Sequence, residues 1–361
     1  MSTPHIIPKA VLYYDARSAW SLAVLLALEE KGYGKDEVDL KLVNLSKGEN
    51  FSPTFLRINP KGTVPTLVVP FENTLTPDME SRYKAITDTE AIIAFLDKSR
   101  SIMSHTHTTS AAPAPALSPA TIELSAMAKS IIALIHSSPA SPELLFYFNA
   151  GDSTTLKTVS PSVSAFLKGR KGALEHYLAE DEANEIRVSE KTKKFWLDKK
   201  STTEELLASL DEADKSEPDL SEGGKKAREE YFEKTKAAWE VGLALVLTKL
   251  SKELVGPFAL GEQISIVDVH LAAWLHELVT LSGGDTRDNG IAAISRLEAH
   301  VGGGFTLAKD AVTAVPAMAP RSSSNPATPA TAIEPPKPKL AVLWDTLTER
   351  PSWQKVFGVR G

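Results

Sequence analysis

Within the first 45 residues an aromatic strand-like run, "AVLYYD" (10–15), is followed by "SLAVLLALEEKGYG" (21–34) and then by "VDLKLVNL" (38–45). The middle stretch reads as a helix: Ser18 is placed to cap its start, Leu22 to Leu28 are apolar on nearly every turn, and Lys31-Gly32 is a stop signal. A helix apolar all round has to be buried between layers. The third stretch alternates apolar and polar residues, as a half-buried strand does. Strand, helix and strand in that order make a β-α-β unit, for which a parallel, right-handed crossover is the economical solution. No other feature restricts the fold as much.

The chain then supplies the rest of a small domain. "TLVVP" (66–70) is a strand, "ENTLTPDMESR" (72–82) a polar loop, "YKAI" (83–86) a returning strand and "TDTEAIIAFLDKSR" (87–100) a closing helix with an early cap. The expected order is β-α-β, a short connection, then β-β-α over residues 1–100. Residues 101–120, rich in Ser, Thr, Ala and Pro, have the composition of a linker. From 121 to 361 the apolar spacing is helical throughout, giving an α/β first domain and an all-α second one. Two stretches inside the helical part read as insertions, near 180–230 and over 311–339. The highly charged 199–226 stretch suggests a solvated helix and a loop, and the second insertion is rich in Pro, Ala and Ser.

Composition removes several classes of function. With 361 residues, 24% of them charged, a net charge of -6 argues against the Lys/Arg excess that a nucleic-acid surface needs, and no basic stripe with interleaved aromatics stands out. The chain has no cysteine, so disulfides, thiolate metal sites and protein-thiol nucleophiles are all excluded. The start of the chain lacks a charged segment followed by an apolar run, and no stretch reaches the roughly 18 apolar residues of a membrane span, so a cytoplasmic protein without membrane contact is expected. His105 and His107 lie close together in "SHTHTT" but have no third ligand, so no metal is expected.

The step Val64-Pro65 in "INPKGTVPTL" (58–67) puts a proline where a strand opens. A trans proline at a strand edge is the ordinary explanation; a cis bond would turn the chain so that the preceding N–H and C=O lie open to an extended peptide. The β-α-β-Pro-β-β-α order resembles the thioredoxin-like fold. Joined through a linker to a helical domain, it resembles the cytosolic glutathione transferases. The resemblance is to the serine-type classes, phi- or theta-like or fungal, and rests on "NLSKGENFSPTFLRINPKGTVPTL", "TDTEAIIAFL", "GEQISIVDVHLAAW" and "RPSWQKV".

That resemblance implies that the Val64 backbone, beside Pro65, pairs with the cysteinyl part of glutathione, and that Asp88 and Thr89 hold its γ-glutamyl end. A helix N-terminus, a hydroxyl and an acid suit a carboxylate and an ammonium, and simple N-capping is compatible with the same residues. Lys47 and Asn50, in "SKGEN", stand where related classes carry a basic residue or a histidine for the glycyl carboxylate. The thiol-activating group is expected where the first strand meets the first helix, as Ser18 or alternatively Tyr14, with Arg17 adding positive potential and Ser21 as a weaker hydroxyl. Ser265, Asp268 and His270, in "SIVDVH", match a capping box and are read as structural. The implied activity is a homodimeric glutathione transferase attacking a hydrophobic electrophile with glutathione as co-substrate. The alternative is a non-catalytic interaction or regulatory protein on the same fold.

Overall fold

The computed structural model describes residues 9–70, 83–101, 110–311 and 336–358. The loop expected over 72–82, His105 and His107, and all but the ends of the 311–339 insertion lie outside the described residues.

The first domain opens with β1 (Ala10–Tyr14), α1 (Ala19–Glu30) and β2 (Val38–Leu42), with β2 parallel to β1. Two single-turn 3-10 segments, Leu45–Lys47 and Glu49–Phe51, then lead into α2 (Pro53–Ile58), where a bare connection was expected. β3 (Thr66–Pro70) and β4 (Tyr83–Ile86) are antiparallel additions, and α3 (Thr89–Ser99) closes the domain. The strand order is β2-β1-β3-β4, the thioredoxin-like arrangement. β2 departs from its expected half-burial: it is an edge strand, and Leu40 and Leu42 are 50% and 60% exposed.

The second domain is helical: α4 (Ile122–Ile135), α5 (Pro142–Tyr147), α6 (Ser153–Glu182), α7 (Glu190–Ser209), α8 (Glu222–Lys236), α9 (Ala244–Glu253), α10 (Ile266–Leu281), α11 (Gly290–Val301), α12 (Lys339–Thr348) and α13 (Pro351–Phe357). A π-helical segment, Ala237–Leu243, joins α8 to α9. α10 is apolar on every side and runs through the main core, packed against α1, α4, α5 and α11. α1 is therefore sandwiched between its own sheet and α10, as its all-round apolar pattern requires.

The described part of the linker is anchored to the first domain. The Asp97 carboxylate accepts hydrogen bonds from the N–H groups of Leu117 and Ser118 and from the Ser118 hydroxyl, while Arg100 donates to the carbonyls of Ser110 and Ala112. Leu117 is buried at 1% exposure. The 180–230 stretch does more than form a solvated helix. α6 and α7 make a hairpin whose Trp196, Leu174 and Leu178 share a separate apolar cluster with Phe51 and Leu56 of the first domain.

Among the described residues no helix is long and apolar enough to cross a membrane.

Candidate functional site

Sheet register brings the sequence candidates to one end of the first domain. Tyr13 lies opposite Thr66 and Leu67 opposite Ile86, so the end of β1, the start of β3 and the end of β4 are neighbours. Because β2 runs parallel to β1 with Leu42 opposite Tyr14, the segment 43–51 starts from that end too. Four loops meet there, and two buried residues organise them.

Asp15, 4% exposed, accepts hydrogen bonds from Arg17 N–H (2.7 Å) and, 30 residues on, from Leu45 N–H (2.9 Å); its own carbonyl accepts Ser18 N–H. Asn59, fully buried, donates through its amide to Thr63 O, Thr63 Oγ1 and Thr66 Oγ1, and its Oδ1 accepts Lys61 N–H. It shapes the turn that delivers Val64 and Pro65. Neither residue is among the sequence candidates. Asn59 carries a detectable signal, since Asn before Pro favours turn initiation. Asp15 carries none, because its main partner is distant in the chain.

The Val64-Pro65 peptide bond is cis, Pro65 is buried and Val64 half-buried. The N–H and C=O of Val64 have no hydrogen-bond partner among the described residues. Asp88 is exposed and caps α3, its carboxylate accepting Ala91 N–H at 2.9 Å. Thr89 follows in the first turn, and the N–H groups of Thr89 and Glu90 are unpaired among the described residues. Lys47 is exposed at the end of the first 3-10 turn.

Asn50 is 6% exposed; its amide N–H donates to Gly62 O at 2.7 Å and braces the 59–63 turn, while its Oδ1 has no partner among the described residues.

At the start of α1, Ser18 is half-buried and caps the helix, its oxygen accepting Ser21 N–H at 3.3 Å. Its O–H proton is left to donate elsewhere. The N–H groups of Ala19 and Trp20 have no partner among the described residues, and no acid stands in the first turn, so the positive end of the helix dipole keeps free donors there. Tyr14 is partly buried and packs against the main core. Arg17 is exposed, its guanidinium 3.9 Å from the Asp15 carboxylate. Ser21, the weaker hydroxyl candidate, is fully buried and accepts Asp15 N–H at 3.3 Å, holding the loop.

Trp20 begins a stack of rings leading into the second domain. Its indole lies 3.8 Å, centroid to centroid, from the His136 imidazole at an 18° interplanar angle. His136 Nε2 is 2.9 Å from Nδ1 of His270, which is fully buried in α10. Burial pushes His136 down to about 4, against the pull of the Asp88 charge, and pushes His270 down to about 3, with His136 adding to the effect. Both rings are neutral at pH 7. His270 thus belongs to a chain of rings as well as to the capped helix. The capping box itself is present: Asp268, fully buried, accepts from Ser265 N–H and Oγ–H and from Ala259 N–H. Burial raises Asp268 to about 6 despite those hydrogen bonds.

The family described as glutathione S-transferase, N-terminal domain, matches residues 17–99. A zeta-class glutathione S-transferase of Euphorbia esula is 42% identical over 91 residues, 25% of this chain and 34% of the relative. The maleylacetoacetate isomerase maiA of Aspergillus fumigatus is 44% identical over 62 residues, 17% of this chain and 26% of the relative. The chain thus spans about a third or less of the length of these curated relatives. Among solved structures, a maleylacetoacetate isomerase from Methylobacterium extorquens with bound malonate and glutathione aligns at 19% identity and a TM-score of 0.40, covering 81% of this chain and 91% of the other. A mutant poplar glutathione transferase aligns at 14% identity and a TM-score of 0.44, covering 98% of both chains. By its sheet order and its family match, the first domain of this chain belongs to the N-terminal domain family of the glutathione transferase superfamily.

Proposed function

We propose that the protein binds glutathione at this end of the first domain and activates its thiol for attack on an electrophilic carbon. The observation that carries the reading is the unpaired Val64 backbone lying at the same sheet end as two helix N-termini with free N–H groups. An extended peptide pairs with an open backbone edge, and carboxylates and thiolates are stabilised at helix N-termini. Val64 takes the cysteinyl backbone, Asp88 and Thr89 the γ-glutamyl end, and Lys47 the glycyl carboxylate.

A free thiol titrates near 8.5, and lowering that by about two units takes roughly 2.7 kcal/mol of preferential thiolate stabilisation. Ser18 is placed to contribute, because its oxygen is used in capping while its proton is free to donate to sulfur. The N-terminus of α1, with its free donors, adds to the same charge. The thiolate then adds to a largely apolar electrophile between the domains. Where the acceptor is a conjugated double bond, addition and re-expulsion of the thiolate would isomerise it, and one curated relative is named an isomerase.

The test is calorimetric titration with glutathione beside turnover of a chromogenic aryl halide and of an enedione. Wild type binds and turns over; Ser18→Ala lowers kcat/KM by about 10²-fold, the scale for losing one oriented donor, and Tyr14→Phe leaves it nearly unchanged. Loss of activity in Tyr14→Phe with Ser18→Ala intact would reverse the assignment. No glutathione binding by wild type would leave the interaction-protein alternative.

A further inference from the structure

The segment 45–51 is two short 3-10 turns, and a single 3-10 turn holds itself weakly. It is gripped from outside by the α6–α7 hairpin. Trp196, fully buried, donates its indole N–H to Phe51 O at 2.9 Å. The Arg170 guanidinium lies 5.2 Å from the centroid of the Phe51 ring. Gly169, inside α6, lies so close to the segment that a Cβ there would overlap the Ser46 carbonyl oxygen. A glycine within a helix is unfavourable relative to alanine, and here the close approach of two backbones accounts for it. Inside the domain the segment is tied by Leu45 N–H to the Asp15 carboxylate, and Asp15 in turn holds Ser18 N–H with its carbonyl. A continuous path therefore runs from the hairpin through 45–51 and Asp15 to Ser18.

We propose that the α6–α7 hairpin is a positioning element for the ligand groove: it pre-sets the segment carrying Lys47, and through Asp15 the Ser18 loop, with Gly169 and Trp196 as its positioning residues. The inference rests on the glutathione reading above. Pre-setting removes an ordering cost that binding would otherwise carry, so the hairpin acts mainly on affinity at the Lys47 end.

Gly172 supplies an internal control. It lies in the same helix, but a Cβ there meets nothing within 4 Å. Gly169→Val, Gly172→Val and Trp196→Phe are made in the full chain. Glutathione and its glycyl monoethyl ester are titrated by calorimetry, kcat and KM are measured, and amide hydrogen exchange is followed over 45–51. Wild type prefers glutathione to the ester. Gly169→Val weakens glutathione binding roughly tenfold, the scale of ordering one more side chain on binding, raises KM more than it lowers kcat, narrows the preference over the ester and speeds exchange over 45–51. Trp196→Phe, which keeps the packing and loses the N–H donor, moves the same way by less. Gly172→Val matches wild type.

Faster exchange in Gly169→Val with unchanged glutathione affinity and unchanged ester preference would overturn the positioning role and leave the glutathione site standing. Equal effects of Gly169→Val and Gly172→Val would reduce the result to helix propensity and overturn it as well. If wild type does not bind glutathione, the parent reading fails and the inference falls with it, whatever the exchange data show.

Discussion

The two ends of α1 are held to the rest of the protein by opposite means. At its C-terminal end the contacts are buried charges. Lys31, 1% exposed, pairs with Asp97 at 2.9 Å; Arg100 donates to Lys31 O and to Glu37; and Glu30 receives both Arg350 and the Ser352 hydroxyl. At its N-terminal end, beside the groove, the contact with the second domain is the neutral stack of Trp20, His136 and His270. A further buried charge at the domain contact would add to or cancel the field that the helix N-terminus and the buried Asp15 carboxylate set beside the groove. Neutral rings join the domains there without altering it.

The largest effect should come from breaking the charged end. Asp97→Ala leaves the Lys31 ammonium buried and removes the acceptor for Leu117 and Ser118, so it should cost about 3–5 kcal/mol, the range for removing one partner of a buried pair. In the folded protein Asp97 is held below its usual range: burial alone would raise it, but Ser118, Leu117 and Lys31 outweigh that. A shift in the urea midpoint with unchanged slope measures the loss. A cost under about 1 kcal/mol would mean that the linker is not anchored through this pair.

The neutral end predicts a different signature, in pH. The folded values of His136 and His270, about 4 and about 3, lie below the ordinary 6.5. A depressed imidazole contributes stability that is complete above about pH 6.5 and is lost as the pH falls toward those folded values. His136 is exposed on one side, so solvent screens its share of the effect, and the two coupled rings titrate as a pair. Asp268, raised to about 6, acts in the opposite sense over the same window, so the imidazole contribution is read by difference: in chemical denaturation at steps between pH 7.5 and 4.5, His136→Phe, which keeps the stack on Trp20, should lose less stability on acidification than wild type. An identical pH slope in the variant would assign the acid sensitivity to other groups.

The same contrast explains what was legible in the sequence. Ser18, Asp88 and Thr89 stand at helix starts, where short-range rules operate, and "VPTL" announces a strand opened by a proline. The parallel pairing of β1 with β2 follows from the β-α-β opening, and the rest of the sheet order from the resemblance to the thioredoxin-like fold. Asp15 and the burial of Trp196 are not legible, because their partners, Leu45 and Phe51, are 30 and 145 residues away. Within "KKFWLDKK" the tryptophan reads as one apolar residue on a charged helix. The bond from the Asn50 amide to Gly62 is hidden for a related reason: it crosses the turn, and the place of Asn50 beside Lys47 gives no sign of it. His270 was legible as part of a capped helix, but its ring partner His136 comes from another helix, and no local pattern links them.

The smallest effect grades the charged end by exposure. Arg350 makes two hydrogen bonds of 2.6 Å to Glu30, one to each oxygen, yet its side chain is 31% exposed where that of Lys31 is 1% exposed. Water can therefore take over part of its role, and Glu30 keeps the Ser352 hydroxyl when the guanidinium is removed. Arg350→Met should cost roughly 1–2 kcal/mol, between the ranges for exposed and buried pairs. It should leave glutathione affinity unchanged, because Glu30 lies at the end of α1 away from Ser18. A double-mutant cycle with Glu30→Gln isolates the pair. A coupling as large as that between Lys31 and Asp97 would show that bidentate geometry, rather than burial, decides how strongly this end of the helix is held.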